Sequence, residues 1–280
     1  MEQTILIPID GSESVDETVL YLKSITPKSK TRLVLVHVTP TVNSQNAAID
    51  HIPSVNEIRD ALLADNWTVD IETRMGDPVL EIVKMAILLP ATMLLMSTHG
   101  RSGIERIRDG SVTEQVLKQS PCPVFILHSL RAEPADNRTE DLFKRILVPL
   151  DGTEASSAIL ECVERFAKIH DSEVIMFHDD IEHIESEDEK AAIKAKLQDQ
   201  SVALANTGLK VSLDMTTYRR PIAEILDRID DMNIDLVSMA THGDDGNKRA
   251  MDESVTAEII RHSNCPLLVW SAEPQCPPIS

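Results

Sequence analysis

Short apolar runs alternate with stretches of helical period from one end of the chain to the other. RLVLVHV from Arg32 and ATMLLMS from Ala91 are apolar at nearly every position. Such runs suit strands covered on both faces of a parallel sheet, whereas a half-wet antiparallel strand would alternate apolar and polar. The pattern predicts strands over 4–9, 31–38, 68–74, 92–97 and 122–128, with helices over 13–25, 55–65, 78–89 and 111–119 between them. The same order returns later, with strands over 144–149, 173–178, 209–216, 235–240 and 266–271. A longer helix lies within 184–205, whose acidic opening SEDE suits the positive end of a helix dipole.

The return is a repeat of sequence as well as of period. ILIPIDGSES from Ile5 reappears as ILVPLDGTEA from Ile146, and STHG ending at Gly100 reappears as ATHG ending at Gly243. From that second landmark the offset is a constant 143, which also relates Cys122 to Cys265. Between the copies, SLRAEPADNRTED is polar, aperiodic and contains Pro134, as a linker would. The expected organisation is a domain over 1–130, a linker over 131–142 and a second domain over 143–280. At 280 residues in all, each copy is long enough for its own core. The expected fold class is α/β, with two doubly wound, open, parallel five-stranded sheets.

Composition narrows the partners. A net charge of −19 argues against nucleic acid and anionic membrane surfaces, which are held by clusters of Lys and Arg. The start MEQTILIPID lacks a basic region followed by a long apolar stretch, and no apolar run reaches the length of a membrane span. A cytoplasmic location is expected. Cys122, Cys162, Cys265 and Cys276 show neither CxxC pairs nor zinc-ribbon spacing, so reduced thiols are expected, with Cys122 and Cys265 as small core residues.

In a doubly wound sheet, ligands settle beyond the carboxyl ends of strands where the winding reverses. The residues that follow strands in copy one are Asp10-Gly11-Ser12, Val38-Thr39 and the stretch from Ser97 to Ser111. Gly100, nine intervening residues, then Gly110-Ser111 at a helix start would aim bare backbone N–H groups and a hydroxyl at a phosphate. With these segments, PIDGS, STHGR, GSVTE and PCPV, the chain resembles a tandem universal stress protein, and the resemblance covers essentially all of it. It implies Rossmann-like domains of strand order 3-2-1-4-5, arranged as an internal pseudo-dimer through 122–128 and 265–271, with a further homodimer left open. It also implies that ATP, or AMP or ADP in its place, binds copy one, with Mg²⁺ as an optional companion. By resemblance Asp10 faces the ribose and adenine, Val38 and Met96 line the base, and Pro8 belongs to the same nucleotide site. Gly100, Gly110, Ser111 and Val112 hold phosphates, and Ser97 stands where the family carries the first glycine of its motif.

Copy two keeps Asp151, Gly243 and Ser254 but presents Glu253 at the position of Gly110, and Arg219 at that of Gly76. Two like charges at about 4 Å and an effective dielectric near 20 repel by about 4 kcal/mol, so Glu253 opposes a polyphosphate. One nucleotide site per chain is expected, in copy one; Arg219 and Arg220 offer copy two an alternative anionic-ligand site. The cluster His178, Asp179, Asp180 and His183 is read as a solvated acidic loop, with a transition-metal site as its sharper alternative. His99 and His242 are read as organisers of glycine turns, and Arg101, Arg106 and Arg108 as surface charges or as clamps on outer phosphates. There is no Walker GxxxxGK[ST] motif, no SGGxDS loop and no pair of acids after the first strand. The expected activity is therefore that of a nucleotide-dependent sensor or adaptor acting on a protein partner. The alternatives are a slow ATPase and a scaffold whose second domain binds a metal or another anion.

Overall fold

The computed structural model describes residues 3–10, 15–40, 53–97, 112–127, 142–179, 186–218, 220–240, 253–263 and 265–270. The chain divides into two compact units, one of residues 1–140 with 277–280, the other of residues 141–276.

In the first unit, β1 (Gln3–Pro8), α1 (Val15–Ile25), β2 (Thr31–Thr39), α2 (Pro53–Ala64) and β3 (Thr68–Met75) wind one way from the first strand. Then α3 (Pro78–Leu88), β4 (Met93–Ser97), α4 (Val112–Gln119) and β5 (Val124–Leu127) wind the other. The strands stand in the order β3-β2-β1-β4-β5. The pairings β1–β2, β1–β4, β2–β3 and β4–β5 are all parallel. The winding reverses between β1 and β4, so the switch point lies at the ends of these two strands. Leu6, Leu33, Val34, Leu35 and Leu94 in the central strands have no exposed surface, as the unbroken apolar runs require of a sheet covered on both faces.

The second unit repeats this plan. Its elements are β6 (Arg145–Pro149), a one-turn α5 (Glu154–Ser157), α6 (Leu160–His170), β7 (Glu173–Asp179), α7 (Glu187–Ala205), β8 (Lys210–Thr216), α8 (Pro221–Asp231), β9 (Leu236–Ala240), α9 (Glu253–His262) and β10 (Leu267–Trp270). The order is β8-β7-β6-β9-β10, again with parallel pairings. Helix α7 is long because its start is well capped: the Ser186 side chain accepts from Glu189 N–H, and Glu187, Asp188 and Glu189 sit in its first turn. Its interior is less apolar than that of the first unit. Arg228, where copy one carries Met85, lies 4.2 Å from the Phe177 ring and donates to Asp214 and Glu224.

Two expectations are corrected. His178 lies buried on β7, within the strand predicted over 173–178, and Asp179 joins it there instead of in a solvated loop, because the pairing with β8 runs on through His178↔Met215 and Asp179↔Thr216. Their suggested companions Asp180 and His183 lie outside the described residues, and among the described residues no cluster of three or more metal-ligating side chains occurs. Cys122 and Cys265 are free and buried, and burial pushes the Cys122 thiol up to about 11, in keeping with an unreactive core residue. Cys162 on α6, by contrast, is disulfide-bonded, where a reduced thiol was expected.

Candidate functional site

At the end of β1 the chain does not leave the sheet at once. Ile9 N–H donates to Val36 O at 2.8 Å, and His37 Nδ1 lies 2.9 Å from Ile9 O. A carbonyl only accepts, so Nδ1 carries the hydrogen and the imidazole pins the strand end just before Asp10. The second unit repeats the device with Leu150 N–H on Phe177 O at 2.8 Å and His178 Nδ1 on Leu150 O, also at 2.8 Å. These paired histidines hold the site's first acid in place, a role that their in-strand positions alone do not reveal.

The register then sets the neighbours. Pro8 pairs with Val36, so Asp10 falls beside Val38 on the adjacent strand; Pro149 pairs with Phe177, so Asp151 falls beside Asp179. In the first unit Asp10 is exposed, and Pro8, Val38 and Ser97 are half-buried. Met96 is buried at the end of β4, and Val112, the first residue of α4, is 39 % exposed. Strands β1, β2 and β4 thus bring Pro8, Asp10, Val38, Met96 and Ser97 to their carboxyl ends around the switch point. Gly100, Gly110, Ser111, His99 and the arginines 101, 106 and 108 lie outside the described residues.

The second unit presents a different chemistry at the same positions. Pro149, Asp151, Asp179, Met239 and Ala240 are all buried, and Val255, the counterpart of Val112, is only 8 % exposed. One cause is local. Asp151 Oδ1 accepts from Thr153 N–H at 2.9 Å and from its hydroxyl at 2.7 Å, and Thr153 in turn caps α5 by accepting from Ser156 N–H. Gly152 in this turn has φ +86°, and a Cβ there would sit 2.7 Å from Ile193 Cγ2, so α7 packs onto bare backbone. Lys196 of α7 donates to Gly152 O at 3.0 Å and pairs with Glu154 at 2.8 Å.

The other cause is a coupled exchange of residues. In the first unit Asp77 caps α3, its side chain accepting from Leu80 N–H at 3.0 Å. The residue before the corresponding proline in the second unit is Arg220, which makes no side-chain cap. Its own N–H is taken by Asp179 Oδ2 at 2.7 Å, while Asp179 Oδ1 accepts from the Thr216 hydroxyl at 2.8 Å. The acid has moved from the helix start to the strand end, so the position of the apolar Val38 is occupied by a carboxylate serving the fold. Arg220 itself is exposed, 3.7 Å from Glu224. Glu253 opens α9, and Arg219 and Gly243 lie outside the described residues.

The model of the universal stress protein family matches residues 1–128 and again 142–270. A universal stress protein of Methanocaldococcus jannaschii is 41 % identical over 73 residues, which cover 25 % of this chain and 43 % of that relative. The match thus spans less than half the length of that relative. A second from the same organism is 28 % identical over 156 residues, 46 % of this chain and 94 % of the relative. Among solved structures, a universal stress protein from Archaeoglobus fulgidus has a TM-score of 0.71 over 96 % of this chain and 98 % of its own, at 21 % identity, a likeness of fold. Together with the repeated five-stranded plan, the two matched stretches place this chain in the universal stress protein family, with two family domains in tandem.

Proposed function

We propose that the first domain binds an adenine nucleotide, ATP or AMP or ADP in its place, and that occupancy biases its conformation or its choice of protein partner. The second domain takes no nucleotide. The observation that carries this reading is the contrast at matched positions. Asp10, Val38, Ser97 and Val112 are accessible at the strand ends of one domain, whereas Asp151, Asp179, Ala240 and Val255 are buried in the other.

The residues of the first domain fit such a ligand. Asp10 is an exposed acceptor for sugar hydroxyls or an amino group, and Val38 and Met96 form apolar walls for a base. Gly100, Gly110, Ser111 and the amino end of α4 would receive the phosphates, a helix start being favourable for anions. When bound, the nucleotide supplies a charged, hydrogen-bonding group that orders this face, and differential affinity for two conformations suffices to shift a population. Phosphoryl transfer needs a positioned nucleophile, metal-holding acids and a charge clamp. Asp10 is the one acid among the described site residues, and the role that fits is sensing or adapting.

Mass spectrometry of small molecules released from freshly purified protein tests the assignment, with thermal melting in added ATP and magnesium as a second readout. An adenine nucleotide at up to one per chain, lost in Gly110→Glu, is expected. Absence of nucleotide together with no ATP-dependent melting shift would refute the reading. Sustained phosphate release well above that of Gly110→Arg would replace the sensor with an enzyme.

A further inference from the structure

We propose that the strand ends of the second domain hold a small cation at Asp151. The inference is independent of whether the first domain binds nucleotide. Asp151 is only 6 % exposed, and its two oxygens have different fates. Oδ1 closes the turn with Thr153, while Oδ2 is buried with no hydrogen-bond partner. A carboxylate oxygen buried without a donor bears the full cost of its lost hydration, and few native groups are left so. On the adjacent strand, two residues past the Pro149–Phe177 pair, stands a second acid, Asp179. Asp179 accepts from the Thr216 hydroxyl and from Arg220 N–H.

The nearby cation of the protein itself does not serve this oxygen. Lys196 reaches the other side of the turn, to Gly152 O and Glu154. The complement of a buried carboxylate oxygen without a donor is a cation that also donates hydrogen bonds. Two sources share that chemistry: a hydrated divalent ion, which is often held by one or two carboxylates with several waters retained, and the ammonium of an organic amine. Burial of Pro149, Asp179, Ala240 and Val255 around the turn favours a small ligand.

The test is calorimetric titration of the nucleotide-free full chain with magnesium chloride, calcium chloride and methylammonium chloride at matched ionic strength, tetramethylammonium chloride serving as the non-donating control. One saturable site per chain is expected for at least one of the three; whether the ions or the amine bind identifies the source. Asp151→Asn keeps the Oδ1 acceptor for Thr153 and should weaken binding at least tenfold, while Asp10→Asn should change it less than twofold. Failure of all three cations to exceed the control in the wild-type chain would overturn the proposal, whatever the variants do. So would binding undiminished in a folded Asp151→Asn chain, or binding lost equally in Asp10→Asn.

Discussion

Asp179→Val would restore in the second domain the residue that the first carries as Val38, and it should unfold that domain more easily. The substitution removes the acceptor of two hydrogen bonds, from Arg220 N–H at 2.7 Å and the Thr216 hydroxyl at 2.8 Å. Bonds to a charged group contribute about 1.5–3 kcal/mol each, and removing one partner leaves the other unsatisfied. The new valine regains about 1–1.5 kcal/mol by burial, so a net loss of about 2–4 kcal/mol is expected. With a urea slope near 2 kcal/mol/M, the midpoint should fall by about 1–2 M. The chain has two tryptophans, Trp67 in the first domain and Trp270 in the second, so Trp67→Phe leaves a fluorophore that reports on the second domain alone. In that background Asp179→Asn should lie between wild type and Asp179→Val. An Asp179→Val midpoint within about 0.3 M of wild type would refute the claim that this carboxylate caps α8.

Three further outcomes follow from the same geometry. Gly152→Ala should cost about 2–4 kcal/mol in the same fluorescence assay, since it adds left-handed strain to a 2.7 Å clash with Ile193, and Ile193→Ala should recover part of it. His170, its ring packed on Phe143 and Phe166, is lowered to about 4, first by burial and then by Lys144. The unfolded chain therefore binds this proton first, and the folded state loses stability as pH falls from about 6.5 to 4. His170→Phe should gain about 1–2 kcal/mol on wild type between pH 7 and 4.5, after discount for the ring's partial exposure. Val38→Asp places an unpaired carboxylate against the proposed base site and should weaken ATP binding at least tenfold in a nucleotide-binding assay while the fold survives.

The fold was largely legible because period and repetition agree. Uninterrupted apolar runs specify doubly covered strands, and two copies of one plan make each assignment a check on the other. The edges were less legible: β5 begins at Val124, past Pro123, which has no N–H to give a ladder, although the apolar pattern starts at Cys122. The charged interior of the second domain was not legible at all. Arg228, half-buried between Phe177, Asp214 and Glu224, joins three elements, and no local period marks such a partnership. At the site, the exchange of Gly110 for Glu253 stands out in the repeat. The exchange of Val38 for Asp179 is equally present once His37 is set against His178, yet its meaning needs three dimensions. Only the contact with Arg220 N–H shows that this acid replaces the cap lost with Asp77.

The unequal pair of sites is tested most directly by calorimetric titration of ATP, with magnesium, into nucleotide-free wild-type chain alongside Gly110→Glu. One site per chain, abolished by that single change, is the expected result. Two equivalent sites per chain, or one site that persists in Gly110→Glu, would contradict it.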